Sequence, residues 1–208
     1  MIEVEMRGLI HEPIEKAIHN LKEKATFEEE KDRLSILYNE GDFVTDVRQV
    51  AHQKRDLRLR FTNKKPELVI KYGKWGASDE REEVSLILTL EQAEKINRIL
   101  NLMGWDKARI VTTKTQVFRY KEVEIALVEA NGVTYFEAEK VIRHAKDIEK
   151  TREEVSRACK ELGLRTISDK EARDLINEIN ERNKDDNIDL MEVSFKDLKK
   201  KFKPFFPE

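Results

Sequence analysis

Strict alternation of apolar and charged residues is the feature that most constrains the fold of this chain. The first strand-like segment places Ile2, Val4 and Met6 on one face and Glu3, Glu5 and Arg7 on the other. The pattern returns at residues 56–62, 67–72 and 80–88. Successive side chains of a β-strand point to opposite faces, so a period of two predicts strands with one apolar and one charged face.

Helices separate and follow these strands. Capping boxes at Thr89–Gln92 and Ser168–Glu171 each mark the start of a helix. Pro13 begins a short helix, and a long helix is predicted from about Glu139 to Leu162. Further strands are expected at about 108–119 and 122–129, and 34–38 suggests another before a turn at Gly41-Asp42. The order predicts an α+β fold built on an antiparallel sheet.

The charge balance and the cysteine content exclude several classes of protein. Lys and Arg number 40 and Asp and Glu number 42, giving a net charge of −2, so a basic nucleic-acid-binding domain is not expected. No segment has the roughly 20 apolar residues of a membrane span. The single cysteine, Cys159, fits a reducing compartment. We therefore expect a cytoplasmic protein that binds neither nucleic acid nor membrane.

The charged motifs occur in a recognisable order along residues 1–145. They are Glu3-Val4-Glu5-Met6-Arg7, Asp56-Leu57-Arg58-Leu59-Arg60, Leu68-Val69-Ile70-Lys71, Arg81-Glu82-Glu83, Lys114 and Glu137-Ala138-Glu139. This order resembles the CYTH superfamily, the triphosphate tunnel metalloenzymes, which includes class IV adenylyl cyclases, thiamine triphosphatases and inorganic triphosphatases.

The resemblance implies a closed antiparallel β-barrel of about eight strands, with charged faces inside a tunnel and helices packed outside. Residues 1–165 would form the tunnel domain, and residues 166–208 a C-terminal helix and tail that pack on the barrel or trail from it. The phosphate-binding residues would be Arg58, Arg60, Lys71, Arg81 and Lys114. The metal ligands would be Glu3, Glu5, Glu83, Glu137 and Glu139. Glu5, Arg7 and Lys114 would be catalytic.

The two sets of charges make chemical sense together. Five basic groups suit a ligand with several phosphates, because arginine offers a bidentate fork and lysine a compact charge. The carboxylates would repel such a ligand unless Mg²⁺ or Mn²⁺, which prefer oxygen ligands, bridged carboxylate and phosphate. A charged set facing inward must be paired or filled by a ligand, since an isolated buried charge is very costly.

Several positions depart from the family pattern. Arg7 stands where a lysine is usual, and an arginine does not deprotonate to help activate water. The usual Lys-x-Arg is Lys114-Thr115-Gln116, with Arg109 or Arg119 as replacements for the missing cation. Val128 stands where an aspartate is usual, and a bulge would be needed to bring Glu129 into that place.

The leading hypothesis for function is divalent-metal-dependent binding and hydrolysis of a triphosphate, which is inorganic triphosphate, a nucleoside triphosphate or thiamine triphosphate. The first alternative is cyclisation of ATP to cyclic AMP and pyrophosphate. The second is a triphosphate- or polyphosphate-binding module without turnover, which the departures favour. A fourth reading is an open sheet with solvated charges and no phosphate site. The sequence leaves a homodimer open.

Overall fold

The structure, a computed structural model, describes residues 1–39, 55–74 and 76–207. Within these residues eight antiparallel strands close into a barrel in the order β2-β3-β4-β5-β1-β8-β7-β6, and β6 returns to β2. The strands are β1 (Ile2–Leu9), β2 (Thr26–Asn39), β3 (Arg55–Thr62), β4 (Lys65–Lys74), β5 (Ser78–Ile87), β6 (Lys107–Tyr120), β7 (Val123–Ala130) and β8 (Val133–Ile142). A short ninth strand, β9 (Asn187–Asp189), pairs with the start of β6.

The helices lie between and after the strands. They are α1 (Ile14–Lys22), α2 (Leu90–Leu102), α3 (Ile148–Leu162), α4 (Asp169–Arg182) and α5 (Phe195–Lys201), with short 3₁₀ turns at Ala145–Asp147, Lys184–Asp186 and Lys203–Phe205. Both predicted capping boxes are present, at Thr89 and at Ser168. In the described part of the chain, no helix is long and apolar enough to cross a membrane.

The apolar faces of the strands point outward, and helices cover much of this outer surface. One apolar cluster joins the outer faces of β2, β3 and β6 to α2, α5 and the C-terminal Phe206. A second places α1 and α3 against the outer faces of β6, β7 and β8. Because the hydrophobic core lies between barrel and helices, the charged faces of the same strands are left to line the interior.

The predicted α+β class and the closed barrel are confirmed, but one element was predicted wrongly. Residues 139–147 were assigned to the start of the long helix, whereas β8 continues to Ile142 and α3 begins only at Ile148. Asn131 and Gly132, both with positive φ, form the turn that pairs β7 with β8. The predicted Gly41-Asp42 turn lies outside the described residues.

The C-terminal segment runs around one end of the barrel. The backbone N–H of Ile167 donates to the carbonyl of Arg7 at 3.0 Å, next to Gly8, where an added Cβ would lie 2.1 Å from the carbonyl oxygen of Arg165. Farther on, the side-chain amide of Asn131 donates to the side-chain oxygen of Asn183 at 2.5 Å, and β9 then pairs with β6. The segment therefore contacts strands on both sides of the barrel.

Candidate functional site

A cavity of about 460 Å³ occupies the inside of the barrel. Among the described residues, nine basic side chains and seven carboxyl groups line it, so basic groups outnumber acidic ones in a chain whose net charge is −2. The basic residues are Arg7, Lys31, Arg33, Arg55, Arg58, Arg60, Lys71, Arg81 and Arg109, and the acids are Glu3, Glu5, Asp56, Glu83, Glu124, Glu137 and Glu139. A cavity with this charge attracts anions.

The structure brings all but one of the sequence-predicted site residues into this cavity. The residues it brings together are Glu3, Glu5, Arg7, Arg58, Arg60, Lys71, Arg81, Glu83, Glu137 and Glu139. Lys114 is the exception, because its side chain is exposed on the outer face of β6. The inward residues of β6 carry odd numbers, among them Arg109, Thr113 and Thr115, so Lys114 has the opposite phase. Lys114 therefore does not reach the cavity in which it was predicted to bind phosphate and to act in catalysis.

Acidic side chains hold the basic residues of β3, β4 and β5 in place. Lys71 Nζ lies 2.5 Å from Glu3 and 3.2 Å from Glu83, and Arg60 lies 3.3 Å from the same Glu83. Asp56 pairs with Arg58 and, at 3.2 Å, with Arg81. Burial alone would raise the pKa of Asp56, but Arg58 and Arg81 hold it well below its usual range. This arrangement compensates buried charge while it fixes the direction of the basic groups.

Arg7, on β1 beside β5, lies between two carboxylates. Its Nη2 atom is 2.5 Å from Glu5 and its Nε atom is 3.3 Å from Glu137. Burial by itself would raise the pKa of Glu137, but Arg7 and Lys71 lower it below the ordinary value, so Glu137 remains ionised. The pKa of Glu5 is raised, because its complete burial outweighs the attraction of Arg7. The two carboxylates beside one arginine thus differ in proton affinity.

Among the described residues, Glu3, Glu5 and Glu139 form a group whose carboxylates could hold a metal ion. One carboxylate oxygen of each lies within 4.8 Å of the others, and Glu5 stands directly across the β1–β8 ladder from Glu139. Burial, together with the negative charges of Glu3 and Glu5, raises the pKa of Glu139 to about 8. Glu83 and Glu137, also predicted as metal ligands, lie outside this group; Glu83 pairs with Arg60 and Lys71, and Glu137 with Arg7.

The chemistry of this group fits a hard divalent cation. Like charges directly opposite each other on adjacent strands destabilise a sheet unless a cation or a proton lies between them. Mg²⁺ and Mn²⁺ both prefer carboxylate oxygens as ligands, which this group supplies. Mg²⁺ or Mn²⁺ would be held by Glu3, Glu5 and Glu139.

Sequence reasoning missed several residues that line the cavity. Asp56 stood inside a quoted motif without a role, and Lys31, Arg33, Glu124 and Tyr135 were not considered as site residues. Lys31 lies 3.7 Å from Glu124, and Arg33 donates to the hydroxyl of Thr62 at 3.1 Å. In the structure each is in register with an inward-facing neighbour, but the charges on both faces of β2 left no such signal in the sequence for Lys31 and Arg33.

The structure explains why an apolar residue, Val128, stands where the family has an aspartate. It faces inward, and with Ala126, Ala130 and Tyr135 it packs in an apolar cluster against α4, whose Ile176 and Ile179 line the same cavity. The β6–β7 ladder pairs Glu129 with Lys114 without a register shift, so no bulge turns Glu129 inward. Of the two replacement cations, Arg109 lines the cavity, whereas Arg119 pairs with Glu28 and Glu124.

Comparisons with known proteins identify structures with a similar fold. No family model matches the chain, and no curated protein matches it. Several solved structures are similar to it. PH1819 of Pyrococcus horikoshii OT3 has a TM-score of 0.66 at 19% identity, over 85% of this chain and 99% of that one.

Two further similar structures carry a description of activity. A candidate adenylate cyclase from Vibrio parahaemolyticus has a TM-score of 0.59 at 14% identity, over 95% of this chain and 97% of that one. HpAC1, a candidate adenylyl cyclase from Hippeastrum with a dominant triphosphatase activity, has a TM-score of 0.51 at 16% identity, over 80% and 90%. These similarities show that the chain shares the fold of these structures, a closed barrel of eight antiparallel strands.

Proposed function

We propose that this protein binds a triphosphate together with Mg²⁺ or Mn²⁺ inside the barrel and hydrolyses its terminal phosphoanhydride bond. The observation that carries the proposal is the division of one cavity into two walls. Arg58, Arg60, Lys71 and Arg81 come from β3, β4 and β5, and the three potential metal ligands come from β1 and β8. A ligand that satisfies both walls carries several negative charges and a bound cation.

Arg58, Arg60, Lys71 and Arg81 would bind the phosphates. Each of them already pairs with a carboxylate, so their side chains are oriented before a ligand arrives. Pre-oriented donors lose little conformational entropy on binding. Arg33 and Arg109 add positive charge on the wall formed by β2 and β6. These cations would offset the charge that develops on the transferred phosphoryl group.

Glu3, Glu5 and Glu139 would hold the metal ion, which when bound neutralises phosphate charge and orients the triphosphate. Arg7 stays protonated and therefore cannot act as a base. It holds Glu5 and Glu137 in place and presents positive charge to the cavity. Glu137, which remains ionised, would accept a hydrogen bond from the water that attacks the terminal phosphorus. As the water oxygen bonds to this phosphorus, the bridging P–O bond breaks and its electron pair leaves with the diphosphate. The proton lost by the water would pass by way of Glu137 to solvent.

Two other functions have a specific observation in their favour. Similar folds include candidate adenylyl cyclases, which supports cyclisation of ATP as an alternative. A binding module without turnover is supported by Arg7 in place of lysine, by Val128 packed under α4, and by Lys114 outside the cavity. In both cases the phosphate-binding wall would keep its role.

Product analysis separates the three functions. The protein is incubated with tripolyphosphate, ATP or thiamine triphosphate in Mg²⁺ or Mn²⁺, with Glu5→Gln as the control. Hydrolysis predicts that the wild type releases orthophosphate from at least one substrate. The Glu5→Gln variant should release much less. Cyclic AMP with pyrophosphate would instead establish a cyclase. Tight binding without any product would establish a binding module.

A further inference from the structure

The guanidinium of Arg7 is fixed by a group that does not belong to the charged walls. Besides Glu5 and Glu137, Arg7 contacts the backbone carbonyl of Gly76, which accepts from Nη1 at 2.6 Å in a buried position. Gly76 lies between β4 and β5. This carbonyl is therefore a third anchor for a planar guanidinium whose nitrogens keep fixed positions relative to one another.

The segment that contains Gly76 is held by α4. The backbone N–H of Arg7 donates to the carbonyl of Ala77 at 3.1 Å, and the N–H of Ala77 donates to Asp169 Oδ1 at 2.8 Å. Ala77 is buried in the apolar cluster that α4 forms with β7 and β8. A continuous path of hydrogen bonds thus leads from Asp169 through residues 77 and 76 to Arg7.

Helix capping does not account for Asp169. An acid in the first turn of a helix commonly serves the helix itself, through the favourable field of the N-terminus. In α4 a capping box is already present, because the Ser168 hydroxyl accepts from the backbone N–H of Glu171 and the Glu171 carboxylate accepts from the N–H of Ser168. The Asp169 carboxylate instead accepts from Ala77, 92 positions away in the sequence.

We infer that Asp169 is a positioning residue that acts through Ala77 and Gly76 to hold Arg7 between Glu5 and Glu137. The C-terminal segment thereby completes a site whose charged residues all come from the barrel strands. The expected effect on triphosphate binding rests on the proposed function. The geometric part, that Asp169 sets the surroundings of Arg7, stands independently of any ligand.

Two readouts test the inference with four single variants and one double variant. The Nε–Hε NMR signal of Arg7, assigned by its loss in Arg7→Lys, reports the guanidinium without a ligand. Calorimetry with tripolyphosphate in EDTA reports binding. Asp169→Ala removes the acceptor, Asp169→Asn keeps an oxygen acceptor, and Ser168→Ala is the matched control, since it removes the cap of the same helix end but not the bond to Ala77.

Asp169→Ala should shift the Arg7 signal and weaken tripolyphosphate binding about 10-fold, as expected for residues in one hydrogen-bonded network. Asp169→Asn should keep the Arg7 signal and tripolyphosphate binding close to those of the wild type. Ser168→Ala should leave the signal and the binding unchanged. In the Arg7→Lys background, Asp169→Ala should alter binding by less than about 2-fold, because its effect passes through Arg7. Equal effects of Asp169→Ala in both backgrounds, or of Asp169→Ala and Ser168→Ala, would overturn the inference.

The outcomes also separate this inference from the proposed function. A wild-type protein that binds no tripolyphosphate contradicts the proposed function, and the NMR comparison then still decides the role of Asp169. A wild-type protein that binds tripolyphosphate, but whose Arg7 signal is the same in Asp169→Ala, contradicts the inference alone.

Discussion

Glu139 has no cation partner among the described residues and faces Glu5 across the β1–β8 ladder. Its carboxyl, with a pKa of about 8, keeps its proton at neutral pH in the metal-free protein. In the unfolded chain the same group ionises near its ordinary pKa. The folded state therefore binds more protons between these two values, and the contribution of Glu139 to stability falls as the pH rises through about 8.

Metal binding should reverse this preference and release protons. A cation requires the ionised carboxylate, so Mn²⁺ should bind more tightly as the pH rises from about 6 to 8. Calorimetry at pH 6.5 in buffers of different ionisation enthalpy measures the protons released. Glu139→Gln should lower that number and weaken binding, whereas Glu122→Gln, an exposed acid on the β6–β7 turn, should change neither. The same proton release in Glu139→Gln and wild type would argue against the assigned metal site.

The sequence predicted which side chains point into the cavity wherever it also identified their strand. Glu3, Glu5, Arg58 and Arg60 lie in segments with clean alternation, and all four reach the cavity. Lys114 was misplaced because it was aligned by motif, although its even number puts it on the outer face of β6. The pairing of acids with bases was beyond the sequence, since it depends on which strands become neighbours across the closed barrel.

At the scale of elements, alternation was informative only while one face stayed apolar. The first half of β2 carries charges on both faces, which hid a strand that runs from Thr26 to Asn39. In β8 the inward Glu137 and Glu139 were found, but Val141, Ala145 and Ile148 also fit a helical period, and the helix was started too early. Local periodicity cannot distinguish a strand from a helix where the same residues fit both periods. The hydrogen-bonded pairing of β8 with β1 and β7 makes that distinction.

The crossing of the C-terminal segment over β1 leads to a prediction at Gly8. Gly8→Ala would place a Cβ 2.1 Å from the carbonyl oxygen of Arg165 and from the ring of Phe136. Neither backbone nor a buried ring moves easily, so the free energy of unfolding should fall by roughly 3 kcal/mol or more. Urea denaturation measures this loss.

Gly104→Ala is the control for the Gly8 prediction. Gly104 has a φ of 89° but no atom near an added Cβ, so the change costs only the strain of a left-handed backbone, about 1 to 2 kcal/mol. A loss at Gly8 no larger than at Gly104 would mean that the C-terminal segment does not pack against β1 as described.

The whole molecule is a barrel with its hydrophobic core outside and its charges inside. Helices α1, α2, α3 and α5 bury the outer apolar faces of the strands, and α4 packs against inward-facing residues of β7 and β8. The closed barrel was predictable through the resemblance of the motif order. The path of the C-terminal segment was not, because its contacts depend on residues from strands far apart in the sequence.

Binding of tripolyphosphate without metal is the measurement that tests this account most directly. Calorimetric titration in EDTA compares the wild type with Arg60→Ala, inside the barrel, and Lys114→Ala, outside it. Arg60→Ala should weaken binding by about 2 to 5 kcal/mol, Lys114→Ala should leave it unchanged, and added salt should weaken wild-type binding. Equal losses in the two variants, or no binding by the wild type, would contradict a phosphate site inside the barrel.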